Sequence, residues 1–215
     1  MAIPSRVDKT RTITDRQPFP PAKRPLNPLV IRLPKWRATN HMQIFIDTEF
    51  TLLAREASMI SFGAVSEDGR EFYCELAPLP LNECSAFVRE IVLPLLEGGA
   101  AVCPRARFGE RLGAWISQFD NPMLLSDSDW DVYVVRHALS GERNQRPGLV
   151  TLPGPAGPLE IMLLTIAPLP DAELAIFERE LQQHFARDNR QHHALVDARA
   201  MREGLLAVRS AGGKR

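Results

Sequence analysis

Seven residues constrain this chain more than any others: Ile44-Phe45-Ile46-Asp47-Thr48-Glu49-Phe50. Three consecutive bulky apolar side chains predict a strand buried on both faces. Side chains alternate along a strand, so Asp47 and Glu49, at i and i+2, point to one side about 7 Å apart at the backbone. No Lys or Arg lies between them or directly beside them. Like charges on one face raise each other's pKa. A bound divalent cation removes that conflict, and hard cations such as Mg²⁺ take carboxylate oxygen and water. The plain alternative is a solvated strand end with two surface acids, and the remaining sequence has to decide.

The 215 residues suffice for one domain with a proper core. A composition of 45% hydrophobic and 24% charged residues is that of a soluble globular protein. No apolar run reaches the length of a membrane span, so no membrane partner is expected. The N-terminus lacks a secretory pattern. Cys74, Cys84 and Cys103 are odd in number and show no CxxC spacing. That fits a reducing, cytoplasmic setting and argues against a disulfide framework or a zinc site.

The net charge of zero conceals an asymmetry. Residues 1–41 carry nine Lys/Arg and two acids, a net of +7, which leaves −7 on the remainder. Seven of the eighteen prolines also fall there. Residues 1–41 therefore read as a disordered or loosely draped basic arm. Such an arm can hold nucleic acid by phosphate charge. The preferred reading is that it is no functional element, because Met42 stands directly before the first strand and translation can begin there. The acidic body is not a general nucleic-acid-binding surface, but it suits a small acidic pocket that takes a substrate end.

After the strand at 42–48, a second strand is expected over 57–66, a hairpin turn at Glu67-Asp68-Gly69-Arg70, and a third strand over 71–76. A helix is expected over 83–96, with Phe87, Ile91 and Leu95 on its apolar side and Pro94 kinking it. The helix expected over 104–119 has a fuller stripe: Phe108, Leu112, Trp115, Ile116 and Phe119. Met123-Leu124-Leu125 reads as a strand running into the acids Asp127, Asp129 and Asp131, with a helix over 132–139. Those acids can complement a helix dipole, resemble a calcium loop that lacks its Gly and distal Glu, or complete the site opened by Asp47 and Glu49. The Gly- and Pro-rich residues 141–170 are expected to be a long loop, with a short strand at 160–164. Asp171 is expected to cap a helix bearing Leu174, Phe177, Leu181 and Phe185. His192 and His193 precede a last helix whose packed side is Leu195, Ala198, Met201, Leu205 and Leu206, with Asp197 in its first turns. The small, basic end, residues 209–215, is expected to fray.

An acid pair on a central strand, an acid at a strand-to-helix junction and a helix acid preceded by His make a parts list for phosphodiester hydrolysis. Two Mg²⁺ ions stabilise the attacking and leaving oxygens of an in-line displacement, and a His can take the proton from the attacking water. Asp47-Thr48-Glu49-Phe50, Trp130-Asp131 and His192-x-Ala194-Leu195-x-Asp197 resemble, in order, the three motifs of the DEDD exonucleases. The His five residues before the last Asp resembles the subgroup using His, and Val88 to Pro94 resembles the middle segment of its compact bacterial exoribonucleases. The resemblance spans residues 42–208. It implies an α/β, RNase H-like fold: a mixed five-stranded sheet, three antiparallel plus two parallel strands, with helices on both faces.

By the same resemblance, Asp47, Glu49, Asp131 and Asp197 are the metal-binding acids, for two Mg²⁺ with Mn²⁺ able to substitute, and His192 is the general base. Thr48, Phe50 and Trp130 fall beside the terminal nucleotide by position. The implied activity is 3′-to-5′ removal of nucleoside 5′-monophosphates from a single-stranded RNA end. The alternatives are a DNA exonuclease of the proofreading type, a catalytically inactive nucleic-acid-binding module of the same fold, and a hydrolase of another phosphate ester. Related exonucleases are often dimers, so a homodimer is one expected assembly. Asp127 and Asp129 compete with Asp131, and His193 with His192. An aromatic before Asp131 and the spacing from His192 to Asp197 favour the choices made.

Overall fold

The computed structural model describes residues 41–166 and 168–212. The expected basic arm, apart from His41, lies outside the described residues, as do residues 213–215. Strand β1 (Met42–Phe50) is buried from Gln43 through Thr48, as its apolar run requires. Strand β2 (Met59–Ser66) pairs antiparallel with it, placing Asp47 opposite Gly63. The turn carries Gly69 at φ 92°, a backbone region that Gly enters without steric cost. Strand β3 (Glu71–Ala77) then completes an antiparallel meander.

The other side of β1 is parallel sheet. Strand β5 (Pro122–Ser126) lies beside β1, and β7 (Gly157–Thr165) lies beside β5. The sheet has seven strands rather than the five expected, because each edge carries one more. Strand β4 (Val102–Pro104) runs parallel to β3, and β6 (Gly148–Gly154) forms a hairpin with β7. The order is β4-β3-β2-β1-β5-β7-β6. Much of the loop expected over 141–170 is therefore this hairpin, and the strand expected at 160–164 is longer. Val150 and Leu152 are buried in alternation with exposed neighbours, a period of two that the surrounding Gly and Pro obscure. Pro153 and Pro158 face each other by the turn, and β6 is an edge strand, where proline is tolerated.

Helices cover both faces. Helices α1 (Phe108–Ile116) and α2 (Asp129–Ser140) pack on the Ile44 and Ile46 side, where the largest core cluster lies. Helices α3 (Asp171–Arg187) and α4 (Ala194–Gly212) pack on the Phe45 side. Alternation along β1 thus feeds two cores from one strand. Helix α2 begins three residues earlier than expected because Ser128 caps it, accepting the Trp130 N–H at 3.2 Å. Pro170, not Asp171, occupies the cap position of α3, and the end expected to fray is helical through Gly212.

The helix expected over 83–96 is broken into a π-helical turn, Val88–Val92, and a 3₁₀ turn, Leu93–Leu95. Its buried side is also the other one. Cys84, Val88 and Val92 pack on Ile60, while Phe87 and Ile91 stand exposed at 48% and 40%. Both sets recur every four residues, so periodicity alone did not decide which faces the sheet.

Candidate metal centre

Gly63 determines where α4 can sit. A Cβ there would lie 2.3 Å from the Ala194 carbonyl carbon and from the Leu195 nitrogen. With no side chain opposite Asp47, the start of α4 comes down onto β2 and brings Asp197, in its first turn, to the end of β1. His192 precedes the helix at φ 74°, and its backbone N–H donates to Asp197 Oδ2 at 3.1 Å. Glu49, His192 and Asp197 offer ligand atoms that all lie within 4.8 Å of one another.

A second group forms where β5 ends. Asp131 sits in the first turn of α2, where the helix dipole favours an anion. Its carboxylate is almost fully buried and held at both oxygens. Thr48 Oγ1 donates to Oδ1 at 2.6 Å, and Ser126 Oγ donates to Oδ2 at 2.5 Å. Asp47, Asp127 and Asp131 likewise present carboxylate oxygens within 4.8 Å of one another.

Asp47 joins the two groups. It is 5% exposed, and its carboxyl is pushed well above the usual range, first by burial, then by Asp131, Asp197, Glu49 and Asp127. Its Oδ2 is buried and takes no hydrogen bond. A buried carboxylate oxygen without a donor, with further carboxylates of both groups beside it, has the chemistry of a divalent-cation site.

The five residues singled out by sequence are therefore brought together. Among the near neighbours, Asp129 turns away and accepts the Thr165 hydroxyl at 2.6 Å. His193 is buried against Tyr73, the ring centroids 4.5 Å apart. Thr48, placed beside a substrate by position, is buried and gives its hydroxyl to Asp131. Phe50 and Trp130 stack on each other at 6.0 Å, with Trp130 largely buried. Asp127 was weighed only as a competitor of Asp131 and instead stands beside it, while Ser126 and Gly63 were not singled out. Asp127 stood in a visible acid run, but its place depends on how the chain turns from β5 into α2. Nothing in the sequence marked Ser126 or Gly63.

No family model matches the chain. A 3′-5′ exoribonuclease of Mycobacterium tuberculosis, found alike in two strains, is 38% identical over 71 residues. The match takes in 33% of this chain and 42% of each relative's length. Among the described residues no helix is long and apolar enough to cross a membrane.

Proposed function

We propose that the chain is a metal-dependent 3′-5′ exoribonuclease with an RNase H-like fold. The observation that carries the reading is Asp47: a buried carboxylate with one oxygen that takes no hydrogen bond, in one cluster of ligand atoms and within reach of the charges of Glu49 and Asp197 in the other. The partial match to an enzyme named as a 3′-5′ exoribonuclease supports the substrate class. The directions of β1, β2 and β3 and of the parallel β5 and β7 agree with the fold implied by the motifs.

In this reading Asp47, Asp131 and Asp127 would hold one divalent cation, and Glu49 and Asp197 would help to hold a second. Two such ions, Mg²⁺ or Mn²⁺, would stabilise charge on the attacking and leaving oxygens. His192 is half-buried beside Glu49 and Asp197, where it takes the proton of the attacking water. The water oxygen bonds to phosphorus, the bond to the 3′ oxygen of the preceding nucleotide breaks, and that oxygen leaves, taking a proton from solvent water. The products are a nucleoside 5′-monophosphate and a strand one nucleotide shorter. Thr48 and Ser126 fix the rotamer of Asp131 from behind. Two discrete donors on the two oxygens leave the carboxylate plane little freedom.

The test is a time course on matched 5′-labelled single-stranded RNA and DNA, with Mg²⁺, Mn²⁺ or EDTA, beside the Asp47→Ala protein. A ladder shortening from the 3′ end, dependent on metal and absent in the variant, is the expected result. Faster decay of DNA than RNA would reassign the substrate. No ladder on either strand in either metal would overturn the enzyme and leave an inactive nucleic-acid-binding module.

A further inference from the structure

His193 plays no part in the chemistry above, yet it is 2% exposed and lies next to the residue that does. Its ring lies on Tyr73 with the planes 25° apart. Burial lowers its pKa, against an opposing pull from Glu97. Nε2 comes within 3.3 Å of Glu97 Oε1, though not in hydrogen-bonding alignment.

Behind this stack is a buried anchor. Glu75 on β3, 4% exposed, accepts the backbone N–H of Glu97 at 2.6 Å on one oxygen and that of Gly98 at 3.0 Å on the other. The Tyr73 hydroxyl also donates to Glu75 at 2.9 Å. Burial pushes the Tyr73 phenol's pKa up, which keeps that hydroxyl a donor. Glu97 in turn lies 3.6 Å from Arg190 on the segment that leads into His192. Two separate stretches, 97–98 and 190–193, are thus pinned to one site on β3.

The result is visible one residue on. With the His193 ring held on Tyr73, His192 turns the other way, at φ 74°, and its N–H meets the Asp197 carboxylate. A positive φ at a non-glycine residue is strained and persists where the surroundings enforce it. The His192 ring meets Phe87 edge-on at 5.0 Å.

We propose that the Tyr73–His193 stack, anchored by Glu75 and Glu97, is a positioning clamp that sets His192 and Asp197 against Glu49. The proposal rests on the reading of His192 as part of the active centre, so its test has a readout that needs no turnover.

The experiment compares Tyr73→Phe, which keeps the stacked ring, with Tyr73→Leu, which removes it, in the full chain. In Tyr73→Leu, kcat is expected to fall about 10- to 100-fold with KM little changed, while Tyr73→Phe stays near wild type. In parallel, carbon-13-labelled histidine would report the His192 ring resonance, which should move in the Leu variant and hold in the Phe variant. Glu97→Ala, at an exposed side chain, should shift kcat and resonance the same way, and it replaces Tyr73→Leu if that variant does not fold. An unmoved His192 resonance and an unchanged kcat, even with a lower Tm, would overturn the clamp and leave a stabilising contact only. If the wild-type protein has no nuclease activity, the functional reading fails, and the resonance alone decides the clamp.

Discussion

Asp47 concentrates the electrostatic conflict of this molecule in one side chain. Its folded-state pKa is raised, so without metal the folded state holds the proton more tightly than the unfolded state does. Its contribution to stability is full below the ordinary carboxylate value of 3.8 and is lost as pH rises through the raised value. Replacing it with a neutral amide removes that loss. Asp47→Asn should match the metal-free wild type in Tm at acid pH and exceed it increasingly as pH rises, by about 2–4 °C for each kcal/mol relieved. It should also abolish turnover and remove any Tm gain from added Mg²⁺, since the proposal makes Asp47 a metal ligand. Differential scanning fluorimetry from pH 4 to 9, with EDTA or Mg²⁺, checks both. His192→Ala should instead slow turnover on the order of 10²–10⁴-fold with metal-induced stabilisation largely retained. Thr48→Val removes a hydrogen bond to a buried carboxylate, at a cost of about 1–3 kcal/mol in chemical denaturation. These residue-scale features were legible in part. The acids, the His and their spacings are chemistry written directly in the chain. That Thr48 faces inward on Asp131 is not, because a hydroxyl's partner depends on which helix arrives above it.

At the scale of elements, the site depends on two helix starts meeting two strand ends. Helix α2 is fixed by Ser128, and its first turn carries Asp131. Helix α4 is fixed by its close approach to Gly63. Gly63→Ala is expected to destabilise by about 1–3 kcal/mol or more, because the clashing atoms are backbone and cannot swing aside. It should cost activity beyond its effect on folding, since moving the start of α4 moves Asp197 away from Glu49. Urea denaturation alongside turnover on RNA separates the two, and full activity in a folded Gly63→Ala protein would refute the dependence. Elements with a buried apolar run or a one-sided stripe could be read from sequence, as β1 and α4 were and as α1 was in its stripe, although it runs only from Phe108 to Ile116 because Pro104 ends β4 and residues 105–107 form a 3₁₀ turn. The β6–β7 hairpin and the inverted face of 84–92 could not. In the first case Gly and Pro obscure a period of two. In the second, two stripes compete, and the contact with Ile60 decides.

Over the whole molecule, two cores share one sheet and all three cysteines are buried. Burial pushes the Cys74 thiol up to about 12 and raises Cys84 as well, so little thiolate is present at pH 8. Alkylation by iodoacetamide is therefore expected to be slow in the folded protein and complete in guanidinium, which makes it a reporter of global opening. Rapid labelling of Cys74 under native conditions would contradict the packing. The core clusters described draw on residues from Met42 to Val208. The reading of residues 1–41 as no functional element predicts that a protein beginning at Met42 keeps the turnover of the full chain. A large loss of RNA affinity at low salt in that shorter protein would instead give the basic arm a phosphate-binding role.

By itself, the sequence determined the central strand, the identities of the paired acids, the histidine and the order in which they occur. Those are local properties, set by side-chain chemistry and by the fixed periods of strand and helix. Tertiary structure alone decided that Asp127 joins Asp47 and Asp131, that Asp129 goes to Thr165, and that His193 packs inward while His192 faces the acids. Each of these depends on contacts between residues distant in the chain. The packing of α4 over Gly63 and the clasp of Glu75 on residues 97 and 98 have no local signal along one strand or helix.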